Sequence, residues 1–112
     1  MLRAKYEMEL DYVYSNADEA ADLLTAMANA KRLLILCNLV EGEVTVGALA
    51  EKVGLSQSAL SQHLSKLRAM DLVSTRRDAQ TIFYSCGDEK VKKMLGTMAG
   101  IFSEDTSGRS AA

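Results

Sequence analysis

One stretch of the chain is dominated by serine and glutamine, at a spacing suited to reading the edges of base pairs. Ser58, Ser61, Gln62 and Ser65 recur at i, i+3, i+4 and i+7, with Gln57 just before them, so a helix sets them in one stripe. A glutamine amide pairs bidentately with adenine N6 and N7, and a serine hydroxyl donates or accepts at several base edges. No acid occurs between Leu55 and Met70, as a surface lying against phosphate requires. A solvated helix face would carry Glu–Lys pairs instead, and helix propensity gives no reason for so many serines. Cations that suit backbone phosphates flank the stripe: Lys66 on one side, Arg76 and Arg77 on the other. Free backbone N–H groups at Ser56 and Gln57 add a phosphate site at the helix start. His63, the single histidine, sits at the edge of the apolar face, where packing or phosphate bonding suits it better than metal ligation. Ser56, Gln57, Ser58, Ser61, Gln62, His63, Lys66, Arg76, Arg77 and Gln80 form the candidate DNA-contacting set.

The elements that must position this stripe follow from periodicity and capping. Ser15-Asn16-Ala17-Asp18 reads as a capping box, and Ala20, Leu24 and Met27 mark an amphipathic helix to about Ala28. Asn29 caps a second helix, apolar around most of its circumference over residues 31–40 and ended by Gly42. Thr45 opens a short helix with Val46, Leu49, Ala50 and Val53, closed by Gly54. Ser56 caps the next, which runs to about Met70 and buries Leu60, Leu64 and Leu67. This pair fits a helix-turn-helix. Residues 72–77 and 81–85 read as a hairpin around Asp78-Ala79-Gln80. Asp88 opens a last helix with Val91, Met94, Leu95, Met98, Ile101 and Phe102. The order describes a mainly α fold with a small β-hairpin, a winged helix-turn-helix. It divides into an N-terminal extension (1–14) that could be helical, the binding and dimerisation domain (15–103) and a flexible tail (104–112).

A length of 112 residues allows one core. With 48% apolar and 25% charged residues the chain has the profile of a soluble globular protein. No apolar run approaches the roughly 18 residues that cross a bilayer, and no secretory signal is evident, so a cytoplasmic protein with no membrane partner is expected. Two cysteines, Cys37 and Cys86, exclude a disulfide-stapled scaffold. The net charge of −2 hides an asymmetry: residues 1–22 carry two bases and six acids, residues 56–77 four bases and one acid. A local positive field holds a polyanion even on a mildly acidic chain.

At these residues the sequence resembles the ArsR/SmtB family of bacterial repressors. Leu55-Ser56-Gln57-Ser58-Ala59-Leu60-Ser61-Gln62-His63-Leu64 is similar to the family's recognition helix. Thr75-Arg76-Arg77-Asp78-Ala79-Gln80-Thr81-Ile82-Phe83-Tyr84 is similar to its wing. Ala26-Met27-Ala28-Asn29, followed by Lys31-Arg32-Leu33-Leu34-Ile35-Leu36, resembles the entry to its second helix. The likeness runs from about Asp18 to Phe102 and implies a homodimeric, sequence-specific repressor binding an imperfect palindrome in double-stranded DNA.

The resemblance also locates the family's sensor positions. A metal site of the type Glu-Leu-Cys-Val-Cys-Asp falls on Glu43-Val44-Thr45-Val46-Gly47-Ala48, where both thiolates are missing, and residues 88–102 contain no histidine. Soft and borderline metals need clustered S and N donors, so neither a metal nor another cofactor is expected. In the family's redox branch a second-helix cysteine pairs with one near the end of the last helix. Cys37 matches the first position and Ser103 occupies the second. Cys37, on a face with Leu33 and Val40, reads as a small core residue.

Leu24, Met94, Met98, Ile101 and Phe102 leave more apolar surface than one winged helix needs, so the first and last helices are expected to form a homodimer across a two-fold axis. Rival readings are a repressor switched by an oxidant or small molecule through Cys37, and a winged helix that binds a peptide rather than DNA. A thiol enzyme is the poorest rival, because Cys37, Cys86 and His63 give no nucleophile–base pair.

Overall fold

A computed structural model describes residues 2–103, with side chains from residue 9 onward; Met1 and the expected tail 104–112 lie outside the described residues. The elements run α1 (Leu2–Ser15), α2 (Ala17–Met27), α3 (Ala30–Val40), β1 (Val44–Thr45), α4 (Val46–Val53), α5 (Gln57–Ala69), β2 (Ser74–Asp78), β3 (Thr81–Ser85) and α6 (Glu89–Phe102). Among the described residues, no single helix is long and apolar enough to cross a membrane.

Most helix starts lie where capping chemistry puts them. Asn29 accepts from the Arg32 N–H, Thr45 from Ala48, Ser56 from Ala59 and Asp88 from Val91. The exception is the expected box at Ser15. Asn16 is the N-cap of α2 but makes no side-chain cap bond there; its Nδ2 donates backwards to the Tyr12 carbonyl at 2.8 Å. The side chain thus closes α1, whose residues 9–15 are all exposed. The end of α5 has neither glycine nor proline. Asp71 takes a left-handed φ of 59° there, and the Leu72 N–H bonds back to the Leu67 carbonyl at 3.0 Å.

The core gathers one face from each inner helix: Ile35, Leu36 and Leu39 of α3, Leu49, Ala50 and Val53 of α4, Leu60, Leu64 and Leu67 of α5, and Val91 of α6. Leu72 and Val73, expected within the hairpin, join this core instead, and β2 begins at Ser74. The strands form an antiparallel sheet in the order β1-β3-β2, with Arg76 opposite Phe83 and Arg77 opposite Ile82. The short β1, not foreseen from the sequence, pairs Val44 with Tyr84 and Thr45 with Phe83.

The expectation that α3 is buried on nearly all sides is corrected. Leu34 is half exposed and Cys37 is exposed. Cys37 lies about 150° around the helix from the Ile35–Leu36–Leu39 face, so it cannot share that face. It borders a groove with Val40, Glu41, Lys92, Leu95, Gly96 and Ala99. Cys86 is the core thiol, 3% exposed, and burial pushes its pKa up.

Two cations at the start of α3 reach the ends of other helices. Lys31 Nζ donates to the Val53 carbonyl at 2.6 Å, closing α4. Arg32 Nε donates to the Ala26 carbonyl at 2.6 Å in the last turn of α2. Replacing Arg32 with Met, which keeps the stem and removes the fork, is expected to lower unfolding stability by about 1–2 kcal/mol. The same change at exposed Arg68 stays within about 0.5 kcal/mol; urea denaturation compares the two. A thiol reagent is expected to label native Cys37 readily and Cys86 only as the chain opens, and the opposite order would contradict this burial.

Candidate nucleic-acid interface

α4 and α5 are joined by Gly54, Leu55 and Ser56. Gly54 adopts φ 71° and its N–H bonds to the carbonyls of Ala50 and Glu51, a left-handed helix end that glycine adopts at least cost. Leu55 returns a bond to Ala50 at 3.0 Å. The turn presents α5 with Leu60, Leu64 and Leu67 inward and Gln57, Ser58, Ser61, Gln62 and Ser65 outward, all exposed. The Gln57 Nε2 lies 3.8 Å from where a Cβ on Gly47 would stand, so this amide is laid over the first turn of α4. The Ser56 hydroxyl accepts from the Ala59 N–H at 3.1 Å, which commits one lone pair to the helix start.

Lys66 is exposed and stands with Arg32 at a shallow hollow lined also by Thr25, Ala26, Leu67 and Met70. His63 is half-buried and turned toward α3, its Nδ1 3.5 Å from Arg32 Nη1. Burial first, then the charges of Arg32 and Lys66, lower its pKa below the usual histidine value. A neutral ring with its proton on Nε2 can accept from the guanidinium at that position.

The wing differs from the expected picture. Its tip is Ala79–Gln80, since Asp78 already pairs with Thr81; Ala79 holds φ 57°, and Gln80 is exposed. Arg76 and Arg77 lie back along β2 on opposite faces, because strand neighbours alternate. Arg76 Nε donates to Glu43 Oε2 at 2.7 Å and its Nη2 to Oε1 at 2.9 Å, while its guanidinium carbon lies 4.5 Å from the Phe83 ring centroid. The hydrogen bond from Arg76 holds the Glu43 carboxyl below its ordinary pKa, and the same bond raises Arg76. Arg77 is exposed with no partner among the described residues.

Glu43, Phe83, Lys31 and Arg32 are the participants that sequence reasoning missed. Arg76 and Glu43 are 33 residues apart, and Lys31 and Val53 are 22 apart, so no helical or strand period connects them. Among the described residues no group of three His, Cys, Asp or Glu side chains could hold a metal ion.

Leu24, Ile101 and Phe102 are 53%, 65% and 76% exposed. Met94 and Met98 are half-buried and line an apolar hollow with Leu24, Met27, Ala28 and Leu33.

Comparison with known proteins agrees with this architecture. Over 93 residues the chain is 64% identical to nodulation protein NolR of Rhizobium meliloti, a match covering 83% of this chain and 76% of that protein. It is 45% identical over 97 residues to the transcriptional activator HlyU of Vibrio cholerae serotype O1, covering 87% of this chain and 90% of the relative. The crystal structure of NolR from Sinorhizobium fredii matches with a TM-score of 0.75 at 65% identity, covering 80% of this chain and 89% of that one. Residues 29–75 match the family described as bacterial regulatory protein, arsR family. The chain therefore belongs to the arsR family of bacterial regulatory proteins, and its helix-turn-helix with a β-wing is that of a DNA-binding transcriptional regulator.

Proposed function

We propose that this protein is a cytoplasmic repressor that binds an imperfect palindrome in promoter DNA as a homodimer and, like its relative NolR, acts on nodulation genes among others. The observation that carries the DNA-reading part is the exposed, acid-free stripe on α5. Neutral amides and hydroxyls on a helix that fits the major groove can discriminate bases without adding charge of their own. Gln57 and Gln62 would read adenine edges, with Ser58 and Ser61 beside them. Lys66, Arg77 and Gln80, with the N–H groups at Ser56 and Gln57, would fix the backbone on either side. His63 would act mainly through Arg32.

Two copies joined through Leu24, Met94, Met98, Ile101 and Phe102 would place the paired α5 helices in successive major grooves, roughly 34 Å apart or a multiple of that. Repression then needs no catalysis, because a dimer seated over a promoter excludes polymerase by volume. The nodulation role rests on the 64% identity to NolR, and genome-wide selection of bound fragments tests it.

Gln57→Ala and Gln62→Ala are expected to cost about 1–3 kcal/mol at particular base pairs while sparing random duplex. Arg77→Ala should weaken binding to every sequence and lower the salt slope by about 0.9 for each phosphate left without its cation. Gel-shift titrations over a salt series measure both, and equal losses on specific and random DNA would remove the glutamines from base reading. Absence of any salt-dependent duplex binding would favour a peptide-binding module. Phe102→Asp combined with Ile101→Asp should convert a dimer into monomers in sedimentation experiments, and an unchanged mass would move the interface elsewhere.

A further inference from the structure

Arg76 lies in the most basic part of the chain, beside Arg77 and three residues before the Ala79–Gln80 tip. Yet two arms of its guanidinium are given to Glu43, at 2.7 and 2.9 Å. Three features make that pairing exchangeable. The Arg76 and Glu43 side chains remain 52% and 41% exposed, so water already reaches both and their separation costs little. The guanidinium carbon lies over the ring of Phe83, its cross-strand partner, so Arg76 keeps a support on the sheet when the carboxylate leaves. The forked grip on two carboxylate oxygens is also the grip a guanidinium offers a phosphate.

We propose that Glu43 is an internal competitor for DNA phosphate: its carboxylate holds the Arg76 fork in the free protein, and a backbone phosphate takes over that fork on the duplex. The inference rests on the DNA-binding reading above and adds how the grip of the wing is set. One anion replaces another at the same donors, so Arg76 is paired in both states. Breaking the Arg76–Glu43 pair is a cost met on every sequence, which shortens residence on non-specific DNA.

The test uses the full chain, Glu43→Gln, Arg76→Ala and the double variant, titrated with a random-sequence duplex over a sodium chloride series. Glu43→Gln should tighten binding about two- to fivefold, the size expected for release of one exposed ion pair. Arg76→Ala should lower the salt slope by about 0.9 for each wing engaged, and it should abolish the gain from Glu43→Gln. All three variants change exposed side chains, and thermal melts verify that each is folded. A Glu43→Gln gain that persists without Arg76 would reduce the effect to general charge removal and overturn the exchange. An unchanged slope in Arg76→Ala would overturn it too. Weaker binding by folded Glu43→Gln would make the pair a brace that aims the wing, again against the exchange. If the native chain bound no duplex at low salt, the DNA-binding reading itself would fall and the exchange with it, a failure distinguishable from the other three.

Discussion

The arrangement of the interface depends on two cations at the start of α3. A helix end leaves carbonyls without intrahelical partners and carries partial negative charge. Lys31 supplies a donor to the end of α4 and Arg32 to the end of α2, and both extend from a helix anchored in the core by Ile35, Leu36 and Leu39. The α4 contact is made at Val53, directly before the turn that launches α5. A Cβ at Gly54 would stand 3.4 Å from Lys31 Nζ on a backbone that already has a positive φ. Glycine is therefore needed there for conformation and also for room beside the lysine. Arg32 also lies 3.5 Å from His63 of α5, so one dipeptide reaches α2, α4 and α5.

Charge placement, not total charge, reconciles a chain of net −2 with a polyanionic partner. The exposed stripe of α5 is neutral, and Lys66 and Arg77 are exposed cations on α5 and on the wing. His63 sits between Arg32 and Lys66, and its lowered pKa keeps a third positive charge from crowding Arg32. The sign follows from linkage: an imidazole whose folded pKa lies below its unfolded one binds protons more readily unfolded. Its contribution to stability is thus present above the ordinary histidine range and fades as pH falls through it. Glu43 works in the same direction on the wing, pairing one cation of the surface that the free protein shows.

What the sequence made legible was local. Asn29, Thr45, Ser56 and Asp88 each cap the helix they precede, because a cap is decided within three residues. The stripe on α5 and its opposite apolar face follow from the 3.6-residue period alone. Failures come where a second element decides the outcome. Asn16 has two helix ends within reach and closes the earlier one. The apolar run of α3 does not reveal which arc faces the core, since leucines occupy most of the circumference, and so Cys37 reads as inward although the core lies on the other side. Arg76 reads as a free wing cation because its partner, Glu43, is brought near only when β1 pairs with β3 and β3 with β2. Pairings of that kind depend on tertiary register, and no window of sequence contains both members.

The neutral stripe on α5 also bears on what the proposed homodimer would contribute. Hydrogen bonds from amides and hydroxyls exchange for those of water, so their net contribution to affinity is modest, while each phosphate contact adds affinity that salt erodes. A single α5 covers few base pairs, and a single wing with Arg76 engaged elsewhere offers few phosphate contacts. Joining two such surfaces makes the second engagement intramolecular, which raises affinity without any new contact at the DNA. The exposed Leu24, Ile101 and Phe102 are the apolar surface that could do the joining. On this view weak individual contacts and a conspicuous apolar face belong to one design, in which discrimination comes from uncharged groups and strength from pairing.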